Sequence, residues 1–261
     1  MQICDICGEK YMTTHKISST KIDLDTIAAL IGEDQKLMLS DESKKRIQKC
    51  RDYLDKKLKN NKEAIYGINT GFGSLYNKTI SEKDLEKLQE NLVISHACGT
   101  GDEVPSDIVR IMLFLKIQSL SYGHSGVQLA TVQRLIELFN NDILPVIYQQ
   151  GSLGASGDLA PLAHLSLPLI GKGEVYYKGE KITSAEANKK MKWQPLKFKS
   201  KEALALLNGT QFMSAYGVWC VTEAYRLAAQ ADLIGAISLD AFDGRLDPFN
   251  SLIQKVRPHT G

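Results

Sequence analysis

Apolar positions recur at helical spacing along most of this chain. Between Glu42 and Leu58, Ile47, Tyr53, Leu54 and Leu58 fall on that spacing with lysines and arginines between them, which predicts an amphipathic surface helix. Ser81 stands at the N-cap of a second helix through about Ala97, with Asp84 in its first turn and Leu85, Leu88 and Leu92 along one face. Pro105 opens a third, in which Ile108, Ile111, Met112 and Leu115 continue the apolar stripe. A fourth runs from about Val127 to Asn140 and stops ahead of Pro145. Asp158 caps a fifth through about Ile170, with Pro161 tolerated in the first turn and Gly171 and Gly173 ending it. From Thr210 to about Ala241 the pattern reads as one long helix, interrupted only mildly by Gly217 and Gly235. The period changes to two in one place, Glu174 to Ile182, where β-formers alternate about Lys178-Gly179 as in a hairpin.

Composition narrows the class without adding chemistry. The 261 residues suffice for one large domain or two modest ones with a substantial core. Hydrophobic residues make up 43% and charged residues 24%, ordinary for a soluble protein. A net charge of +2 gives no reason to expect nucleic acid or an anionic membrane surface as partner. No apolar run approaches the roughly 18 residues of a membrane span, and the N-terminus has no secretory pattern. The five cysteines, Cys4, Cys7, Cys50, Cys98 and Cys220, are odd in number and mostly scattered, so a reduced cytoplasmic setting is expected. Cys4 and Cys7 form a C-x-x-C pair with His15 as a third ligand at most. A structural zinc site wants four, so residues 1–12 read as a flexible tail and no metal is expected. Met12 offers an alternative start.

The stretch 151–165, Gly-Ser-Leu-Gly-Ala-Ser-Gly-Asp-Leu-Ala-Pro-Leu-Ala-His-Leu, carries the most chemistry. Its plain reading is a glycine-rich turn ahead of a helix. A tripeptide Ala155-Ser156-Gly157 placed there can also make an electrophile from its own backbone. The Gly157 nitrogen would attack the Ala155 carbonyl carbon, loss of water would close an imidazolone, and dehydration of Ser156 would leave an exocyclic methylidene. Small residues are needed because ring closure compresses the backbone. Three further segments stand out. Tyr66-Gly67-Ile68-Asn69-Thr70-Gly71-Phe72-Gly73 suits a tight or mobile loop and matches no Walker or dinucleotide pattern. Ser95-His96 lies near a helix end, where a histidine is ordinarily structural. Asn208, in Leu207-Asn208-Gly209-Thr210-Gln211, sits at the entry to the long helix, where an N-cap role is the plain alternative. His124, His164 and His259 read as structural.

Together these motifs closely resemble the histidine and aromatic amino-acid ammonia-lyases, over essentially residues 13–261. The resemblance implies a mainly α fold: a helical N-terminal domain, 13–205, and the beginning of a central long-helix bundle, 206–261, with the small hairpin. It implies a methylidene-imidazolone prosthetic group, formed autocatalytically from Ala155, Ser156 and Gly157, and no diffusible cofactor. Tyr66 corresponds to the general base, a role that requires its phenol, ordinarily near pKa 10, to be held as phenolate. Asp158 corresponds to a residue that assists the cyclisation. Asn208 lies beside the prosthetic group and the substrate carboxylate in that family, where an amide can donate to an oxyanion. Ser95-His96 and the glutamine after Asn-Gly-Thr are typical of histidine lyases, although some bacterial tyrosine lyases also carry Ser-His.

The reaction implied is that of a carbon–nitrogen lyase eliminating ammonia from L-histidine to give trans-urocanate, with His96 binding the imidazole. A tyrosine lyase or an aminomutase is the alternative. Complete members of the family are longer, form homotetramers and draw each active site from three subunits. A chain ending at Gly261 is therefore expected to be a fragment or a truncated product, and a catalytically silent packing module is a third reading.

Overall fold

The computed structural model describes residues 13–31, 35–60, 65, 67–71, 80–153 and 157–259. Within them the chain forms two compact units, one running through Val218 and the other from Trp219.

The first unit begins with β1 (Thr13–Ile17), α1 (Leu24–Ile31) and β2 (Gln35–Leu39), the two strands pairing in parallel. Strands this short carry too little alternation to stand out in the sequence. α2 (Asp41–Asn60) and α3 (Glu82–His96) follow, then β3 (Thr100–Glu103), α4 (Ser106–Ser121), α5 (Leu129–Asn140), β4 (Leu144–Pro145) and β5 (Tyr148–Gln150). α6 (Leu159–Ser166) tightens into a 3-10 turn over Leu167–Ile170 and stops at Gly171, whose φ of 73° places it in the left-handed C-cap conformation. β6 (Glu174–Tyr177) and β7 (Glu180–Thr183) are the predicted hairpin. Lys178 (φ 54°) and Gly179 (φ 79°) make the left-handed pair that such a two-residue turn requires. β4 adds a third antiparallel strand to it. α7 (Ser184–Met191), α8 (Glu202–Leu207) and the first turns of α9 (Gln211–Ala241) complete the unit.

The core is centred on α4. Ile108, Val109, Ile111, Met112, Leu113, Phe114, Ile117 and Leu120 are all buried, so this helix is enclosed nearly all round rather than presenting a single stripe. α2 is the opposite case: Ile47 and Leu54 face inward and its lysines lie outside. One buried carboxylate joins distant segments. Glu202, fully buried at the start of α8, accepts from the Gln128 and Lys199 N–H groups (2.8 Å each), from Thr131 Oγ1 (2.6 Å) and from Gln128 Nε2 (2.5 Å). It thereby ties the N-cap residue of α5 and the Thr131 hydroxyl of its first turn to α8.

Ser81 occupies the N-cap position of α3 in extended conformation, as predicted, but its side chain makes no cap bond to the backbone and instead donates to Asp84 Oδ2 (2.6 Å). The true capping box lies at Thr183 and Glu186 on α7, which the hydrophobic pattern did not single out.

The second unit comprises the rest of α9, a 3-10 turn at Asp247–Phe249 and α10 (Ser251–Val256). At 31 residues α9 is about 46 Å long. Apolar side chains on this unit are open to solvent: Tyr225, Leu233, Ile234, Ile237, Phe242, Leu246, Phe249, Leu252 and Val256 are all exposed. No helix among the described residues is long and apolar enough to cross a membrane.

Candidate active site

The site is built where the start of α6 meets the turn between α8 and α9. Asp158 stands at the N-cap position of α6, yet its carboxylate does not cap that helix. Oδ2 accepts the backbone N–H of Met213 (3.0 Å), in the first turn of α9, and Oδ1 accepts from Ser152 Oγ (3.0 Å). Its own N–H donates to the Gly209 carbonyl (3.0 Å). Asp158 is thus a cap for a helix other than the one it precedes, a correction that local sequence could not supply. With the carboxylate only 2% exposed, three segments are tied at one residue, and the positive ends of α6 and α9 converge there.

Gly157 precedes this junction at φ +90°, a region that favours glycine, and a Cβ there would lie 2.9 Å from the Gly209 oxygen. Gly209 is constrained in turn: its φ is +150°, and the space a side chain would need is filled by the Gln211 carboxamide. The Gly157 backbone therefore packs on the Gly209 carbonyl with no room for a side chain at residue 157. The cradle beside Gly157 thus admits glycine and no larger residue.

Asn208 ends α8 and does not cap α9, so the N-cap alternative does not hold. Its Nδ2 donates back to the Leu204 carbonyl (2.9 Å), and the side chain is exposed. Beneath it lies a residue that motif reading passed over. Lys116, 1% exposed in the middle of α4, donates from Nζ to the Ala205 and Asn208 carbonyls (2.9 and 3.0 Å). Burial pushes its ammonium down to about 7, and no carboxylate pairs with it among the described residues. The ammonium completes the carbonyl end of α8 and fixes the peptide that carries Asn208. The available signal was a lysine inside an otherwise continuous apolar run, Ile111 to Ile117.

His96 is the last residue of α3. Its Nδ1 lies 2.8 Å from the Leu92 carbonyl, which can only accept, so Nδ1 carries a proton; in the tautomer with that single proton, Nε2 is an acceptor. Ser95 Oγ donates to the same carbonyl (3.1 Å) and lies 3.2 Å from Nδ1, steadying the ring. Beyond His96 the chain runs to Gly99, whose N–H donates to Nε2 of His164 on α6 (3.0 Å). The His164 ring is buried, stacks edge-on to Tyr148 at 5.3 Å between centroids, and has its pKa lowered by burial.

The glycine loop is described only over Gly67–Gly71. There it turns tightly: Gly67 has φ +70°, Asn69 Oδ1 accepts the Ile65 N–H (2.7 Å), and Thr70 Oγ1 donates to the Gly71 carbonyl (2.9 Å). Tyr66, Ala155, Ser156, Phe72 and Gly73 lie outside the described residues, as do Cys4 and Cys7. Of the predicted site residues, the structure joins Gly157 and Asp158 to the carbonyl of Gly209, the residue after Asn208. His96 ends α3, which packs against both α6 and α8.

A mainly helical fold in which the start of α6 meets the Asn208-Gly209 turn at one buried aspartate is the fold of the aromatic amino-acid lyases. The sequence profile of that family, aromatic amino acid lyase, matches residues 22–261, and the chain belongs to it. It is 43% identical over 245 residues to the histidine ammonia-lyase of Caldanaerobacter subterraneus subsp. tengcongensis, covering 94% of this chain and 48% of that protein. It is 44% identical over 239 residues to the histidine ammonia-lyase of Legionella pneumophila subsp. pneumophila, covering 92% and 47%. Among solved structures, histidine ammonia-lyase from Trypanosoma cruzi superposes with a TM-score of 0.87 at 34% identity, over 95% of this chain and 49% of that one. The Pantoea agglomerans phenylalanine aminomutase superposes with a TM-score of 0.84 at 31% identity, over 95% and 47%. The chain spans about half the length of the curated relatives it matches.

Proposed function

We propose that this chain is the part of a histidine ammonia-lyase that carries the self-processing tripeptide, and that the complete protein eliminates ammonia from L-histidine to give trans-urocanate. The observation that carries the substrate assignment is the His96 ring. With Nδ1–H committed to the Leu92 carbonyl, Nε2 accepts, and it suits a substrate side chain that donates a proton, as the imidazole N–H does. An unsubstituted phenyl ring would leave that acceptor unpaired.

Ala155, Ser156 and Gly157 supply a methylidene-imidazolone electrophile for the substrate, without a diffusible cofactor or a metal. Tyr66, Asn208 and Asp158 take the roles that the family resemblance implies. Tyr66, held as phenolate, takes the β-proton. Asn208 donates its amide to the substrate carboxylate. Asp158 assists the cyclisation by holding the end of the segment against Gly209 and the first turn of α9. Lys116 keeps the Asn208 peptide fixed from below.

The complete protein is proposed to be a cytoplasmic homotetramer, with no nucleic-acid or membrane partner. The exposed apolar side chains of the second unit support burial against further parts of the complete protein. Intact mass measurement followed by product analysis tests the reading. A loss of two waters across residues 155–157 and formation of urocanate from histidine are expected. An unmodified mass refutes self-processing in this chain, and coumarate from tyrosine or a β-amino acid product replaces the histidine-lyase reading with a tyrosine lyase or an aminomutase.

A further inference from the structure

The described residues contain one titratable side chain that bridges two parts of the site and that the mechanism above leaves without a task. His164 lies on the second turn of α6, the helix that starts directly after Gly157-Asp158. Its Nε2 accepts the N–H of Gly99, and a backbone amide can only donate, so Nδ1 carries the ring proton and the imidazole is neutral. Gly99 is clasped from several sides. A Cβ there would meet His164 Nε2 at 3.1 Å and the Gln150 carbonyl at 3.2 Å, and a Cβ on Gly151 would meet the Gly99 Cα at 3.1 Å. From Gly99 back to His96 each residue is held by a backbone bond. The Cys98 N–H donates to the His96 carbonyl (2.9 Å) and the Ala97 N–H to the Val93 carbonyl (3.1 Å). The segment between the two rings is thus hydrogen-bonded at Ala97, Cys98 and Gly99.

We propose that His164 is a positioning residue: through the Gly99 amide it sets the place of the substrate-binding His96 relative to the helix that begins at the self-processing segment. The substrate half of this statement rests on the histidine-lyase reading; the structural half does not. A lyase needs the imidazole contact and the electrophile at a fixed separation, and a buried acceptor between the two segments provides it at the cost of keeping one histidine uncharged. Glutamine retains an acceptor oxygen at this position, whereas leucine of similar size retains none.

Nitrogen NMR of the unmutated chain tests the structural half directly: a proton on Nδ1 and a bare Nε2 at His164 are expected, and a proton on Nε2 overturns the proposal. In His164→Leu the Gly99 amide is expected to exchange about tenfold faster and the His96 ring resonances to shift. In His164→Gln both should stay near those of the unmutated chain. Unchanged Gly99 exchange in the leucine variant overturns the positioning role. In the active protein, His164→Leu is expected to raise KM for histidine about three- to tenfold with kcat changed less, and His164→Gln to restore it. An unchanged KM beside a shifted His96 ring overturns the functional half. An unmutated protein that shows the His164 signature but turns over no histidine refutes the substrate reading while the positioning of His96 stands.

Discussion

Replacing Lys116 by methionine should change how stability depends on pH, and the structure gives the size and sign. Lys116 is 1% exposed and bonded to two neutral carbonyls, and burial lowers its pKa from 10.5 to about 7. In the unfolded chain the ammonium keeps its ordinary value. Below pH 7 both states hold the proton, and its contribution is flat. Between 7 and 10.5 the unfolded chain remains protonated while the folded one has released the proton, so the unfolded state binds more protons and stability rises with pH. The slope approaches about 1.4 kcal/mol per pH unit, and the full window amounts to on the order of 4 kcal/mol. Folding does not suffer from the loss of charge, because a neutral amine still has two N–H donors for the Ala205 and Asn208 carbonyls. Methionine has neither proton nor donor at this position. Urea unfolding of the unmutated chain and of Lys116→Met between pH 6 and 10.5 isolates the effect, since every other titrating group cancels in the difference. The unmutated chain should gain on the variant steadily as pH rises above 7. A difference constant to within about 0.5 kcal/mol across the range would refute it, for Lys116 would then titrate alike in both states.

Three other outcomes follow from single contacts. Asp158→Ala should cost about 1–3 kcal/mol in chemical denaturation, because the Met213 N–H in the first turn of α9 loses its acceptor; an unchanged midpoint counts against the cross-helix cap. Glu202→Gln should destabilise by about 2–3 kcal/mol, since an amide NH2 must then face donors from Gln128, Thr131 and Lys199; calorimetry reads the loss. Gly157→Ala should abolish the loss of two waters in the intact mass, because a methyl there meets the Gly209 oxygen at 2.9 Å on a backbone at φ +90°; full processing of the variant would show that the turn relaxes freely.

Much of the molecule is legible in its sequence because the relevant forces act within a few residues. Helical periodicity and the glycine and proline stops located α2 through α6 and the long α9. The Lys178-Gly179 turn located the hairpin, since only a left-handed pair closes two strands so tightly. Contiguous motifs likewise singled out Gly157, Asp158, His96 and Asn208 as candidates. What the sequence could not express is which donor meets which acceptor across the fold. Asp158 reads as the cap of its own helix and serves Met213, 55 positions on. Asn208 reads as a cap of α9 and instead closes α8. Lys116 reads as an interruption of an apolar stripe and is the cation under the Asn208 peptide, 92 positions away. His164 reads as a structural histidine and holds the segment that leads to His96. Periodicity and turn chemistry are properties of neighbours along the chain and survive in the letters. Pairing of buried polar groups is decided by packing, because a donor removed from water must find whatever acceptor the neighbouring helices bring within reach.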